Sequence, residues 1–587
     1  MAPYSGAMHV ARNRRSYVTK SGEERVYESV LLRRTFREGG KVRHETLANL
    51  KALPEASIAA IEATLRGQTL VPAAEAATVL RSLPHGHVAA VWAQAKVLGL
   101  PAMLGPAGWM RDLAMALILA RAVAPASKLA TASWWADTTL GVDLEVTGAG
   151  TDEIYAAMDW LTGRQDHIEK QLAGKHLDPV VNPSRIAMFD LSSSWVTGRH
   201  CDLAARGYSR DGKKGCEQIE YGLLTDPEGR PVAVRVFPGN TADPAAFTQA
   251  VTAVKDTFAL ENMLMVGDRG MITSARITAL AELGGLGWLT ALRAPQIAAL
   301  ASDDGPLQMS LFDEQNFAEI THPDYPGERL IVCRNPALAD ERARKRGELL
   351  DATEAELGKI VAAVTAGRLS GAGKIGLRVG KALGKYKVGK HFRLDITDTS
   401  LMVTRNRERI DAEAALDGIY TLRTTASADE LGTAAVIDAY KNLSRVERDF
   451  RSLKAIDIDL RPIHHRLTDR VKGHVLICML AAYLTWHLRQ AWTPLTYTDE
   501  NPPHREDPVA PAARSAAARA KAARKTTTDG DLPARSYQAL LAHLATLTRN
   551  DLQYGDDGPI VTTLAVPTPT QRRAFELLDT TIPHTVR

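Results

Sequence analysis

The chain has 587 residues, 45% of them apolar and 24% charged, with 72 Lys/Arg against 68 Asp/Glu and a formal net charge of +4. This composition excludes a wholly disordered or fibrous chain and leaves room for several packed modules of roughly 150 residues each. Cys201, Cys216, Cys333 and Cys478 lie far apart with no CxxC pair, which excludes a disulfide framework and a cysteine-rich zinc module.

In chain order, SYVTKSGEERVYESVLLRRTF reads as two alternating stretches around Lys20-Ser21-Gly22, a small basic hairpin. From about Leu53 to Gln171 the pattern turns helical, through WMRDLAMALILARAV and TDEIYAAMDWL. From Arg185 the texture changes to strands: RIAMFDLSSSWV, then two strands around the turn Asp226-Pro227-Glu228-Gly229. The helical PAAFTQAVTAVKDTF, the apolar NMLMVGDRG, the helical ITSARITALAEL and the strand-like GWLTALR follow, so an α/β layer with a mixed sheet is expected.

FAEITHPDYPGERLIVCRN and FRLDITDTSLMVTRN are strand-like, with a charged helix between them. Helices resume at SADELGTAAVIDAYKNLSRVERDFRSLK and TDRVKGHVLICMLAAYLTWHLRQ. The segment NPPHREDPVAPAARSAAARAKAARKTTTDGDLP then reads as an Ala-, Pro- and Arg-rich linker before a small terminal unit. The N-terminus lacks the apolar stretch of a signal peptide. The best apolar run, Val475 to Trp486, is shorter than the roughly 18 to 20 residues of a membrane span, so a soluble cytoplasmic protein is expected.

Charge is unevenly placed. Ten Lys/Arg lie between Arg12 and Arg43, nine between Lys359 and Arg393 with no acid, and five between Arg514 and Lys525 with none. Each segment alone fits a solvated face or tail as well as a surface for a polyanion.

Two acids stand out because each meets an apolar strand: Asp190 after Ile186 to Phe189, and Asp268 after Leu264 to Val266. Burying a carboxylate costs several kcal/mol unless a cation or hydrogen bonds compensate it. Two such acids at like ends of one sheet can share a cation, although either alone can also cap a turn. A third, Glu447, falls on a helical stripe with Tyr440, Leu443, Phe450 and Lys454, flanked by Arg448 and Arg451. That places it toward the core side, bound to metal or in an internal Glu-Lys pair. His464, His465, His474 and Cys478 do not show tetrahedral ligand spacing, and His464 and His465 lie in a basic run, Arg461 to Arg470, of the kind that faces a polyanion. Trp195 and Trp288 read as core.

Taken together, MFDLSS, GYSRDGKKGCEQIEYGLL followed by PGNTAD, VGDRGM, and YKNLSRVERDFRSLK followed by RPIHH resemble a DDE transposase of a bacterial insertion sequence. The resemblance is to the insertion-sequence-4 superfamily, nearest its insertion-sequence-1634 branch, and runs to about Leu488. It implies an α/β, RNase-H-like catalytic core with a mixed sheet, split by a strand-rich insertion, plus an N-terminal basic β module and a helical domain. The implied domains are a DNA-binding hairpin module at 1–52, a helical domain at 53–183, the core at 184–295 and 426–495, a β-rich basic insertion at 296–425, a basic linker at 496–534 and a C-terminal unit at 535–587.

The same resemblance implies Asp190, Asp268 and Glu447 as catalytic, metal-binding acids. They would hold two Mg²⁺ ions, with Mn²⁺ able to substitute, about 3.5 to 4 Å apart. The family signature Tyr-x2-Arg-x3-Glu-x6-Lys is met at Tyr440, Glu447 and Lys454, with Leu443 at the Arg position and Arg445 and Arg448 nearby. Expected DNA contacts are Tyr440, Lys454, Arg448 and Arg451, Lys381, Lys385, Lys387 and Lys390 in the Gly/Lys segment, and Arg33 and Arg34 near the N-terminus. The implied reaction is hydrolysis at element ends followed by strand transfer of the 3′-OH. The implied partners are double-stranded DNA, as terminal inverted repeats and target, and a second copy in a synaptic homodimer, with no membrane and with nucleoid association. No GxxxxGK[ST] loop points to ATP. The alternatives are a related nuclease that does not integrate and a catalytically inactive DNA-binding protein.

Overall fold

The computed structural model describes residues 7–587 except 69, 71–76, 242–247, 249–250, 253–257, 259–261, 274–276, 279–280, 282–283, 303–304, 529, 531 and 556–557. The chain divides into two compact units, Met1–Ser82 with Asn550–Thr563, and Leu83–Arg549 with Leu564–Arg587.

In the first unit, β1 (Ala7–Val18), β2 (Glu24–Glu38) and β3 (Lys41–Asn49) form an antiparallel sheet in sequence order. The β2–β3 link is Gly39-Gly40, at φ 57° and 78°, as a two-residue hairpin turn with both central residues at positive φ requires. Much of the basic excess is neutralised within the unit. Arg12 meets Glu55 and Glu62 of α1 (Glu55–Leu65), and Arg34 pairs with Glu45 at 2.6 Å across the strands. A second sheet joins β4 (Thr78–Pro84), β15 (Thr548–Gln553) and β16 (Ile560–Leu564) in the order β16-β15-β4.

The second unit opens with seven helices: α2 (Gly86–Val97), α3 (Leu100–Leu104), α4 (Trp109–Val123), α5 (Lys128–Ala136), α6 (Thr139–Asp143), α7 (Thr151–Thr162) and α8 (Gln165–His176). The apolar α4 packs, with α7, on the helix α15 (Thr468–Ala491), which contains the run Val475 to Trp486. By length and composition α15 could cross a membrane, but 83% of its apolar window is buried inside the protein, the environment of a core helix. Gly473 lets α15 approach α7 closely, since a Cβ there would lie 2.7 Å from Thr162 Oγ1.

Behind these helices stands an eight-stranded mixed sheet. Its strands are β5 (Ile186–Trp195), β6 (Gln218–Thr225), β7 (Pro231–Pro238), β8 (Met263–Val266), β9 (Leu286–Ala291), β10 (Phe317–Ile320), β11 (Arg329–Arg334) and β14 (Ile419–Thr424), in the order β10-β11-β14-β9-β8-β5-β6-β7. β5, β8 and β9 are mutually parallel and the remaining pairings are antiparallel. One apolar core runs continuously from α2 and α4 through α15 to β5, β6 and β8. The helices expected over PAAFTQAVTAVKDTF and ITSARITALAEL fall largely outside the described residues.

The segment expected to be strand-rich holds more helix than strand. After α9 (Ala294–Leu300), strands β10, β11 and β14 join the main sheet. Between them come α10 (Pro336–Thr365), α11 (Ala372–Tyr386), the hairpin β12 (Phe392–Ile396) and β13 (Leu401–Arg405), and α12 (Arg407–Ala414). Asn335 caps α10 by accepting from Leu338 N at 3.1 Å. The Gly/Lys segment, short of apolar anchors in sequence, is helical because Ile375, Val379 and Leu383 recur every four residues and pack with Leu357 and Val364 in a separate small core. Further on come α13 (Thr433–Lys441), α14 (Leu443–Arg451), α16 (Ala516–Arg524), α17 (Tyr537–Ala545) and α18 (Pro569–Glu576).

Where α5 meets α15, Lys128 is 7% exposed and its Nζ lies 3.4 Å from His474 Nδ1. Burial first, and then Arg121, pushes this amine down to about 7. Between about pH 7 and the amine's ordinary range the unfolded chain binds a proton that the folded chain lacks. Stability therefore rises with pH across that window, by up to about 1.4 kcal/mol per pH unit. Lys128→Met is expected to raise the Tm at pH 7 and to flatten that rise in thermal melts. Parallel pH slopes for the two proteins would refute it.

Candidate active site

The parallel register sets the site. Ile186 pairs with Leu264 and Met188 with Val266. The pairing ends there, and Asp190 and Asp268 each follow two residues later on neighbouring parallel chains, Asp190 still within β5 and Asp268 beyond β8. Asp190 does not end its strand as the sequence suggested, because β5 continues to Trp195, with Asp190 opposite Leu223 of β6. Asp268 lies just past β8. Its Oδ1 caps the following turn, accepting from Gly270 N at 2.9 Å and Met271 N at 2.6 Å.

Asp190 is half-buried and accepts a hydrogen bond from Leu191 N at 2.8 Å. Burial, then the like charge of Asp268 and, more weakly, of Glu447, pushes its carboxyl up to about 7, against the pull of the Leu191 amide and Arg210. The three acids are thus electrostatically linked. Among the described residues no three His, Cys, Asp or Glu side chains sit close enough together to hold one ion, so the acids form an open group rather than a closed cage.

The helix read as continuous from the sequence is α13 and α14, joined at Asn442, and the chain then passes into a π-turn at Ser452–Ile456. Val446 and Phe450 are the buried face of α14, with Phe450 packed edge-on against Tyr221 of β6 at 5.8 Å between ring centroids. This corrects the stripe that put Glu447 toward the core. Glu447 is exposed, and it opens with Asp268 onto a cleft of about 1240 Å³. Tyr440 also lines this cleft, and burial together with the charges of Asp268 and Glu447 pushes its phenol up to about 12. Arg448 and Arg451 are exposed.

Lys454 is placed differently from a free phosphate ligand. The π-turn directs it inward, where it is 9% exposed and donates to Asp211 Oδ1 at 2.8 Å. Arg461 Nη1 donates to the same oxygen at 2.7 Å. Burial lowers the Lys454 amine even though Asp211 raises it. Asp211 and Arg461 were not singled out from sequence. The only signal was an acid inside the basic GYSRDGKKG loop.

Of the remaining expected contacts, Lys381 and Lys387 are exposed, while Lys385 pairs with Glu356 at 3.2 Å and Lys390 with Glu413. Acids from α10 and α12 thus reach a stretch that has none of its own. In the first unit Arg33 and Arg34 are half-buried on β2. His465, expected to face DNA, turns inward against Tyr155 and His474, and burial pushes its imidazole down to about 3. Trp288 is 8% exposed. Trp195 is half-buried and carries Lys213 and Arg461 over its ring, each at 5.2 Å.

Residues 192–484 match the transposase DDE domain, and residues 15–76 match the N-terminal domain of IS1634 family transposases. The chain belongs to the DDE transposases, in their IS1634 branch. The first match begins just after Asp190 and contains Asp268, Glu447 and Lys454. No curated protein matches the chain. Among solved structures, one that is similar is the cryo-EM structure of a piggyBac transposase synaptic complex with hairpin DNA. It has 8% identity, covers 68% of this chain and 70% of its own, and gives a TM-score of 0.34.

The elevated Asp190 carboxyl has a consequence for stability. Between about pH 4 and 7 the unfolded chain has lost a proton that the folded chain keeps, so stability falls as pH rises through that window. Asp190→Asn is expected to remove this fall and to melt at a higher temperature than the parent protein at pH 8. A variant that melts lower, with the slope intact, would show that the carboxyl is not held in its protonated form.

Proposed function

We propose that the chain cuts and joins DNA as a metal-dependent transposase, hydrolysing the phosphodiester at element ends and transferring the freed 3′-OH into target DNA. What supports this is the parallel β5–β8 register, which ends two residues short of Asp190 and Asp268, together with the charge that Asp268 and Glu447 exert on Asp190. The β7-β6-β5-β8-β9 part of the sheet, with Asp190 within β5 and Asp268 just past β8, supports an RNase-H-like core.

The donor set fits a hard divalent cation. Three oxygen-only side chains lie within each other's field, and the raised Asp190 carboxyl ionises most readily beside added positive charge. Asp190, Asp268 and Glu447 would hold such ions, Mg²⁺ or Mn²⁺, which when bound supply an activated water and charge neutralisation at the leaving oxygen. The protein's own groups do the rest. Asp268 uses Oδ1 to fix its turn, leaving Oδ2 free of that duty. Arg210, whose charge reaches Asp190, is held by donating from its amide to Ser193 Oγ at 2.9 Å. Lys454 and Arg461 supply positive charge that a phosphate would share with Asp211.

Exposed Arg448, Arg451, Lys381 and Lys387 are the cations best placed to meet double-stranded DNA, with Arg33 and Arg34 acting on the N-terminal sheet. A transposase joins two ends, so a homodimer is the natural working form.

Asp190→Asn, Asp268→Asn and Glu447→Gln should each abolish Mg²⁺-dependent cleavage of end-bearing oligonucleotides while leaving the fold intact. Mg²⁺ or Mn²⁺ should raise the Tm of the parent protein, by about 2.7 kcal/mol of stabilisation at a hundred times the dissociation constant, and should not do so for Asp190→Asn. Cleavage that persists in any of the three variants would sink the assignment. Cleavage without joined products would reduce it to the nuclease.

A further inference from the structure

Residues 496–514 have the composition of a linker, yet they are fastened to the second unit at several points. Lys441 Nζ donates to Pro508 O and, at 3.1 Å, to Ala510 O. Arg505 pairs with Asp438 at 3.1 Å, Asn316 Nδ2 donates to Asp507 Oδ2 at 2.8 Å, and Val509 is fully buried. The segment is therefore a strap of fixed position, and it lines the same cleft of about 1240 Å³ that contains Asp268 and Glu447.

The lining holds six Arg/Lys against four acids, Asp268, Glu447, Asp457 and Asp499. Asp457 and Asp499 are already engaged. Asp457 is held by Arg489 at 2.7 Å, and Asp499 accepts from Ser515 N at 2.7 Å and Ser515 Oγ at 2.8 Å. Arg445, Arg448 and Arg514 remain exposed and make no ion pair among the described residues. Tyr497 adds a half-buried ring to the same lining.

We propose that this cleft binds a short single strand of DNA beside the acids, with Arg514 and Tyr497 of the strap as its recognition residues. The inference rests on the transposase reading and deepens it by naming which form of DNA the cleft takes. The volume exceeds the roughly 300 to 1,000 Å³ of drug-sized ligand sites and suits a few nucleotides of one strand. A duplex, whose major groove alone is about 12 Å wide, meets the cleft only from outside. Unpaired guanidinium groups beside an aromatic ring are the combination that holds single strands with little regard to sequence, the cations following phosphates and the ring stacking on a base.

The test uses the full chain in metal-free buffer, where no cleavage competes. Fluorescence anisotropy would compare a labelled single strand of about eight nucleotides with a duplex, for the parent protein, Arg514→Glu and Tyr497→Ala. Each variant is expected to bind the single strand about tenfold more weakly, with unchanged duplex affinity and unchanged Tm, and Arg514→Glu should lower the slope of log affinity against log salt by about 0.7. A halogenated single strand should photocrosslink to a peptide within 497–514. Unchanged single-strand binding, a parallel loss of duplex binding, or crosslinks confined to other peptides would overturn the proposal. If the parent protein fails to cleave element ends with Mg²⁺ while Arg514-dependent strand binding persists, the transposase reading falls and the strand site stands.

Discussion

A half-buried carboxyl group on an inner strand of an apolar sheet is the constraint around which the second unit is arranged. Ile186, Ala187, Met188 and Phe189 are nearly fully buried, and the two-residue period that sends Met188 and Asp190 to one face leaves the chain no cheaper place for the acid. Desolvation costs several kcal/mol, and Asp268 and Glu447 add like charge to it. One backbone amide and the field of Arg210 offset only part of this. The strain is sustained because β5 is over-determined by its surroundings: paired on both sides and continuous with the core that α4 and α15 complete. Local cost of this kind, carried by a stable scaffold, gathers at functional sites.

The third acid is held by a different device. Asp211, from the loop between β5 and β6, binds both Lys454 and Arg461, and its Oδ2 has no hydrogen-bond partner among the described residues. Beyond β5 the chain after the π-turn is tied back, with Ile463 N donating to Trp195 O at 3.0 Å and Thr197 N to Ile463 O at 2.8 Å. These links close a ring from β5 through the 207–215 loop to the end of α14. The attitude of α14 on the sheet, and hence the reach of Glu447, depends on that ring as well as on Phe450 against Tyr221. An ion pair of this burial adds little net stability, but losing one partner leaves a charge stranded in the interior. It serves as a positional clamp more than as a source of binding energy.

The sheet acids were legible because strand periodicity is local: an apolar run ending in an acid, found twice, needs only neighbouring residues to be recognised. The face of Glu447 was not. A continuous 100° helix places it with Leu443 and Phe450, whereas the junction at Asn442 and the π-turn reassign the buried positions to Val446, Phe450 and Leu453. The ion pair of Lys454 is not legible either, since its partner Asp211 lies 243 residues away and no local pattern announces it. The Gly/Lys segment counted as free of acid because Glu356 and Glu413 arrive from other helices. Its helical state followed from three apolar residues at four-residue spacing that the abundant glycines obscured.

The strap shows why low-complexity composition is a poor guide to order when the anchoring is polar. Lys521, in an Ala-rich helix, is buried and donates to Thr493 O, Thr496 O and Thr498 O at 3.2, 3.1 and 3.2 Å, and also to Glu500. A hydropathy pattern scores that lysine as solvent-facing, although it works as the pin of a turn. Backbone carbonyls are acceptors that every sequence possesses, so a lysine that collects several of them can organise a segment with almost no apolar content. The same logic recurs at Lys441, whose ammonium gathers Pro508 O and Ala510 O. One buried and one half-buried ammonium group thus turn an apparent tether into a wall, and cations fixed on a wall beside acids can distinguish a strand held in place from one passing by. A mobile linker would pay the ordering entropy of each contact at the moment of binding, whereas this one has paid it on folding.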